Sequence, residues 1–127
     1  FLFRLRTTET GLNGTDPEVD LGPLQADRWN HIVVTYRSGE LACYIDGKRQ
    51  DVDQIAGDFS NWSSQQLLFG NEHQDDRPWH GLLSHIAIYA RFMDEQEVQH
   101  RHKISQWNHI GGRIRDKLRE RSRKQDE

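Results

Sequence analysis

Asn71, Glu72, Asp75, Asp76 and Arg77 crowd into one polar run, NEHQDDRP, that ends against Trp79. A solvated acidic loop is the simplest account of Glu72, Asp75 and Asp76. The run also suits a polyhydroxylated ligand, because an indole can stack on the apolar face of a sugar ring while amides, carboxylates and a guanidinium take its hydroxyls. Trp62 and Trp79 are the aromatic candidates, since each adjoins polar residues. Packing competes at Trp79, which opens an apolar run.

Other chemistry-bearing residues have simpler readings. Asp94, Glu95 and Glu97 cluster, and retaining glycoside hydrolysis needs two carboxyls about 5 Å apart. Here the acids open a segment of helical character, where Asp94 at the cap and Glu97 three residues on form a reciprocal capping pattern. No Ser, His and Asp set stands out as a nucleophilic triad. Of the seven histidines, His100 and His102 diverge on a helix, while His80 and His85 fall on opposite sides of a strand. Neither pair has zinc-ligand spacing. Cys43, the lone cysteine, cannot form an internal disulfide and reads as a small buried hydrophobe. Two sequons, Asn13-Gly14-Thr15 and Asn61-Trp62-Ser63, lie in predicted loops.

With 17 basic and 20 acidic residues the net charge is −3, which excludes a strongly basic body that would attract nucleic acid. Charge is uneven: residues 113–127 hold seven Lys or Arg against four Asp or Glu, a local +3 that leaves −6 for the rest. That terminal stretch interleaves acids with its bases and lacks stacking aromatics, so no nucleic-acid partner is predicted. No apolar run reaches the length of about 18 residues that a membrane helix needs. The chain opens directly on a strand-like run, FLFRLR, which suggests a piece of a larger protein. Membrane association is therefore expected only through parent segments outside this chain.

Two alternating runs, 30–36 and 40–45, separated by Arg37-Ser38-Gly39, predict a central antiparallel hairpin. Ile32, Val34 and Tyr36 alternate with Val33 and Thr35; Leu41, Cys43 and Ile45 alternate with Ala42 and Tyr44. Both faces carry apolar residues, so the hairpin belongs inside a layered domain. Asp46-Gly47 supplies a turn into a third strand over 48–53. Residues 1–6 and 19–21 predict further strands, as do 66–69, and 79–89 predicts a central closing strand with a bulge or close crossing at Gly81. Trp29 reads as a lid on the core, and 54–66, which holds Ile55 and Phe59, as a long surface connection with a few residues tucked inward. A short helix over 94–103 buries Val98 against the sheet, and the charged terminal run is helical or a linker.

WNHIVVTYRSGELACYIDGKRQ, then LLFGNE, then WHGLLSHIAIYARFMDEQEV resembles the later portion of a laminin-G-like or concanavalin A-like jelly-roll domain. The matching features are Trp29 before the hairpin, Tyr44 with Asp46-Gly47, residues 68–70, and the run 81–89 leading to the acids at 94–98. The resemblance implies an all-β antiparallel jelly-roll sandwich over residues 1–98, N-terminally incomplete, followed by a charged helical extension or linker over 99–127. It is strongest to secreted bacterial versions appended to envelope or extracellular proteins, which implies an extracellular, periplasmic or cell-envelope location. The implied function is noncatalytic recognition of carbohydrate or a surface polymer, with no required cofactor. The resemblance also implies calcium as an optional ion, bound by loop carboxylates and backbone carbonyls, with Asn71, Glu72, Asp75 and Asp76 as the candidate cluster and Asp16 or Asp58 contributing from other loops. The alternatives are a structural or protein-interaction module of a larger envelope protein and a divergent glycoside hydrolase. The Glu-x-Asp-x-x-Glu pattern of β-glucan hydrolases in that superfamily is absent from this sequence.

Overall fold

Residues 1–64, 68–71 and 78–107 are described in the computed structural model, where they form two small antiparallel sheets and one helix. Strands β1 (Leu2–Phe3) and β2 (Val19–Asp20) pair with each other. Strands β3 (Ile32–Arg37), β4 (Glu40–Ile45) and β5 (Lys48–Gln50) form the second sheet in the order β3-β4-β5. Helix α1 covers 95–107.

The hairpin forms in the register its alternation demands, with Ile32 opposite Ile45, Val34 opposite Cys43 and Tyr36 opposite Leu41. Its connection is tighter than expected, because Arg37 joins the ladder opposite Glu40 and its Nε donates to Glu40 Oε2 at 2.6 Å. Asp46 and Gly47 turn the chain into β5 with φ of 52° and 74°, both left-handed as the mirror-image two-residue turn requires. The predicted third strand is shorter. After Gln50 the chain leaves the ladder, and the Gln54 side-chain amide takes over by accepting from Leu41 N at 2.8 Å and donating to Leu41 O at 3.1 Å.

Both faces of the central sheet are covered, as its two-sided apolar pattern requires. On one face Leu41 and Cys43 are buried with Val19, Leu21 and Ile55, and Phe3, Leu5, Val34, Tyr36, Ile45 and Val52 pack around them. On the other, Ala42 and Tyr44 are buried with Met93 and Val98 of the α1 region. Thr35, buried on that second face, uses its hydroxyl to accept from Met93 N at 2.7 Å and so fixes the approach to the helix. Asp94 caps α1, its Oδ1 accepting from Glu97 N at 2.8 Å. The reciprocal half of the cap does not form, because the Glu97 carboxylate is taken by Arg91 and Arg101. At the far end of the sheet a Cβ on Gly47 would stand 3.1 Å from the His102 ring, so the turn and the helix meet where only glycine fits comfortably.

Four expectations need correction. Residues 79–89 lie in no strand and every one is exposed, Leu82 at 78% and Ile88 at 72%. Alternation is only a capacity to pair, and none of the five strands offers this run its N–H and C=O partners. His85, with φ 54°, also breaks the extended path. Leu68 and Phe69 are likewise exposed and outside any strand, while Gln66 and Leu67 lie outside the described residues. Trp29 is 44% exposed rather than a closed lid. The first strand stops at Phe3, although Leu5 still packs into the core. Residues 108–127, which hold most of the predicted extension, lie outside the described residues.

Candidate functional site

Two loops that are far apart in sequence are laced together beside the hairpin turn. Thr8 N donates to Asp58 O and Asp58 N to Thr8 Oγ1, each at 3.0 Å. Thr7, fully buried, donates its hydroxyl to Ala56 O at 2.7 Å, and its own carbonyl accepts from Asn61 Nδ2 at 2.8 Å. Gly57 O receives the Tyr36 hydroxyl at 2.7 Å and the Ser38 hydroxyl at 2.9 Å, which ties the loop to the β3–β4 turn. These bonds replace a ladder for a segment whose sequence has no strand pattern, and they make it a fixed rim.

Trp62 sits on that rim. Its indole Nε1 donates to Arg6 O at 2.8 Å and its backbone N to Phe59 O at 3.0 Å, yet the residue stays 52% exposed. The turn from Phe59 to Trp62 brings the two rings to 4.6 Å between centroids with a 42° tilt, and Phe59 in turn meets Tyr36 at 5.3 Å. Such tilted contacts suit the ring quadrupoles and hold the indole at a set angle. Phe59 is 40% exposed. Asp58 lies on the same turn, where the Ser60 hydroxyl and backbone N–H hold its carboxyl below the usual range, so it is an acceptor near neutral pH. The rim therefore presents two aromatic rings, a carboxylate and hydroxyls, a set that can take a sugar face and its hydroxyl edge. Asn61, the acceptor of one sequon, already has its amide engaged with Thr7.

Trp79 and Asn71 lie elsewhere on the chain's path. Trp79 N donates to Gly70 O at 2.7 Å, which closes the base of the loop that Asn71 begins, and a Cβ on Gly81 would stand 2.8 Å from Trp79 Nε1. Gly81 thus leaves room for the indole of Trp79, a local contact rather than the strand bulge or backbone crossing expected there. Trp79 is 47% exposed and Asn71 is half-buried. Glu72, Asp75, Asp76 and Arg77 lie outside the described residues, and with them the candidate calcium ligands. Of the named binding residues, the structure ties Trp62 into the laced rim and brings the Trp79 backbone against Gly70, the neighbour of Asn71.

The remaining chemical candidates have structural partners. Arg91 grips the Glu97 carboxylate with both terminal nitrogens and Arg101 Nε reaches the same carboxylate at 2.9 Å, which lowers its pKa to about 2. Glu95 Oε1 accepts from Gln99 Nε2 at 3.0 Å. Burial pushes the Cys43 thiol up to about 11, so it stays protonated and unreactive. His102 stacks at 5.2 Å on His31, a packing role for one of the seven histidines. Among the described residues no three His, Cys, Asp or Glu side chains gather around a metal position.

The sequence names Trp62 as an aromatic candidate but does not name Phe59 beside it. Phe59 at three residues before Trp62, across a polar turn opened by Asp58, is the signal that could have found the ring pair, because a turn brings positions i and i+3 together.

No curated protein matches the chain. Among solved structures it is similar to an S-layer domain-containing protein from Clostridium thermocellum, with 20% identity and a TM-score of 0.53. The likeness covers 64% of this chain but 42% of that one, so the chain spans less than half of the neighbour. The two-faced hairpin, the Asp-Gly turn and the Asp94 cap with the first turn of α1 fall within residues 3–99, which match the concanavalin A-like lectin/glucanases superfamily in its laminin-G form, and the chain belongs to that family.

Proposed function

We propose that this chain is a noncatalytic recognition module, displayed outside the cytoplasm, that binds a carbohydrate or surface polymer at the Trp62 rim. The observation that carries the reading is an indole held at both its ring nitrogen and its backbone amide, yet half open to solvent and flanked by Phe59. A ring used only for packing would be covered; one clamped in place and left open is a preorganised platform. The family's lectin members and the S-layer description of the structural neighbour support a glycan ligand and an envelope setting. In this reading residues 1–98 form a partial jelly-roll sandwich and 99–127 an appended extension. Asn71, Trp79 and residues 72–77 add contacts in this reading, with calcium an optional ion there. The noncatalytic assignment is supported by the roles of Asp94, which caps α1, and Glu97, which is engaged by two arginines.

A glycan array probed with and without calcium, followed by analysis of each hit for cleaved product, tests this. The expected result is weak binding, since one ring contact contributes about 1 kcal/mol against the roughly 4 kcal/mol of a millimolar complex, with no product formed. Release of shortened sugar would assign a hydrolase instead.

A second reading, an assembly module of a larger envelope protein, is favoured by the exposed aliphatic run at Leu82, Leu83, Ile86 and Ile88. Absence of any glycan hit together with capture of an envelope-protein partner through that run would select it.

A further inference from the structure

An open cleft of about 480 Å³ lies between the β3-β4-β5 sheet and the start of α1, and neither Trp62 nor Phe59 lines it. At its floor is Tyr44, whose ring is 99% buried against Ala42, Met93 and Val98. The Tyr44 side chain lines the cleft, and its hydroxyl makes no hydrogen bond to any described residue. The walls are charge-dense, but most charges already have partners. Arg37 donates to Glu40 while its guanidinium lies 4.7 Å over the Phe92 ring, and Arg91 is held by Glu97. Asp94 accepts from Glu97 N and Glu95 from Gln99. Arg49 alone among the cleft's arginines bonds to no described residue, and its charge acts on the Tyr44 hydroxyl. Burial raises the Tyr44 pKa, so the phenol keeps its proton and remains a donor.

The unused hydrogen-bonding capacity is therefore a guanidinium and a phenol, facing carboxylates that each retain spare lone pairs. A simple anion does not fit this arrangement, because three arginines are set against four acids, a local charge of −1. A sugar diol does fit: it accepts from Arg49 and Tyr44 through its oxygens and donates its hydroxyl protons to Glu95 or Asp94, with no net charge to desolvate. The volume lies in the range of small-ligand sites. We infer that this cleft is a second glycan-contacting site, specific for a neutral polyhydroxylated unit that Tyr44 and Arg49 hold at its floor and rim. The inference rests on the glycan-recognition reading but places contact where neither the sequence nor the Trp62 rim assigns it.

Calorimetric titration of neutral cello-, xylo- and chito-oligosaccharides and of acidic oligogalacturonates into wild type, Tyr44→Phe, Arg49→Gln and Trp62→Ala distinguishes the two. Tyr44→Phe keeps the buried ring and Arg49 is exposed, so both variants retain the fold, which circular dichroism checks. The expected result is a neutral oligosaccharide whose affinity falls about threefold to tenfold in each cleft variant, the loss of one hydrogen bond. Unchanged affinity in both cleft variants with loss in Trp62→Ala overturns the cleft and leaves the rim intact. Binding of the acidic oligosaccharides alone, lost in Arg49→Gln, overturns the neutral class. Absence of binding by every oligosaccharide overturns both readings.

Discussion

At the scale of single residues, the rim depends on positions that look unremarkable in sequence. Gly57 adopts φ 93°, and a Cβ there would lie 2.7 Å from Thr8 Oγ1, 2.8 Å from Thr7 Oγ1 and 2.9 Å from Glu9 N. Gly57→Ala is expected to cost about 1–3 kcal/mol through backbone strain and to disturb the loop that carries Phe59. Thermal denaturation with a glycan titration checks it, and an unaltered midpoint would mean that the loop yields freely. Core positions separate by burial. Leu41→Ala and Ile55→Ala, both at fully buried sites, should each lose about 2–5 kcal/mol. Ile32→Ala, at a half-buried site, should lose less, and urea titration of the three variants gives the order directly. Trp62 was legible because it stands in a polar run; its ring partner was not, because a turn rather than a periodic element joins Phe59 to it. Tyr44 reads as part of an alternating strand and as a feature of the family resemblance, and neither says where its hydroxyl emerges.

At the scale of elements, legibility followed whether the pairing partner lay nearby in sequence. The hairpin, the Asp-Gly turn and the Asp94 cap are local, so spacing alone predicts them, and each forms. The run 79–89 has a better strand pattern than β1 or β2, yet it forms no strand, because its pairing depends on a neighbour the local pattern does not supply. Helix α1 extends beyond the predicted 94–103, since burial of Val98 and Met93 against the sheet adds packing that local propensity omits. Docking of α1 also carries a pH signature. Arg91 first and Arg101 second depress Glu97 from its ordinary 4.5 to about 2. A carboxyl depressed in the folded state contributes stability that is present in full above its unfolded value and is lost as the pH falls through the folded one. The contribution should therefore fade between about pH 4.5 and about pH 2. Denaturant midpoints of wild type and Glu97→Gln, compared across that window, should converge as the pH drops; a constant gap would contradict the assignment.

At the scale of the molecule, two small sheets and a helix bury one core on each face of the β3-β4-β5 sheet but leave a long apolar run in the open. Exposed Leu82, Leu83, Ile86 and Ile88, without strand partners among the described residues, form a surface prone to association. Sedimentation should show concentration-dependent self-association that Ile86→Lys and Ile88→Lys reduce without loss of the β signal in circular dichroism. A wild-type monomer at high concentration would mean the run is shielded. If self-association is real, copies gathered on a surface would also strengthen weak single-site binding by avidity. The central claim remains that Trp62 is a clamped, open platform for a sugar ring. Its most direct test is calorimetric titration of the best glycan from the array into wild type and Trp62→Ala, with both confirmed folded. The account predicts a loss of about fivefold or more in affinity, consistent with about 1 kcal/mol from one ring contact, at an unchanged unfolding midpoint. Equal affinity in a folded Trp62→Ala variant would contradict it.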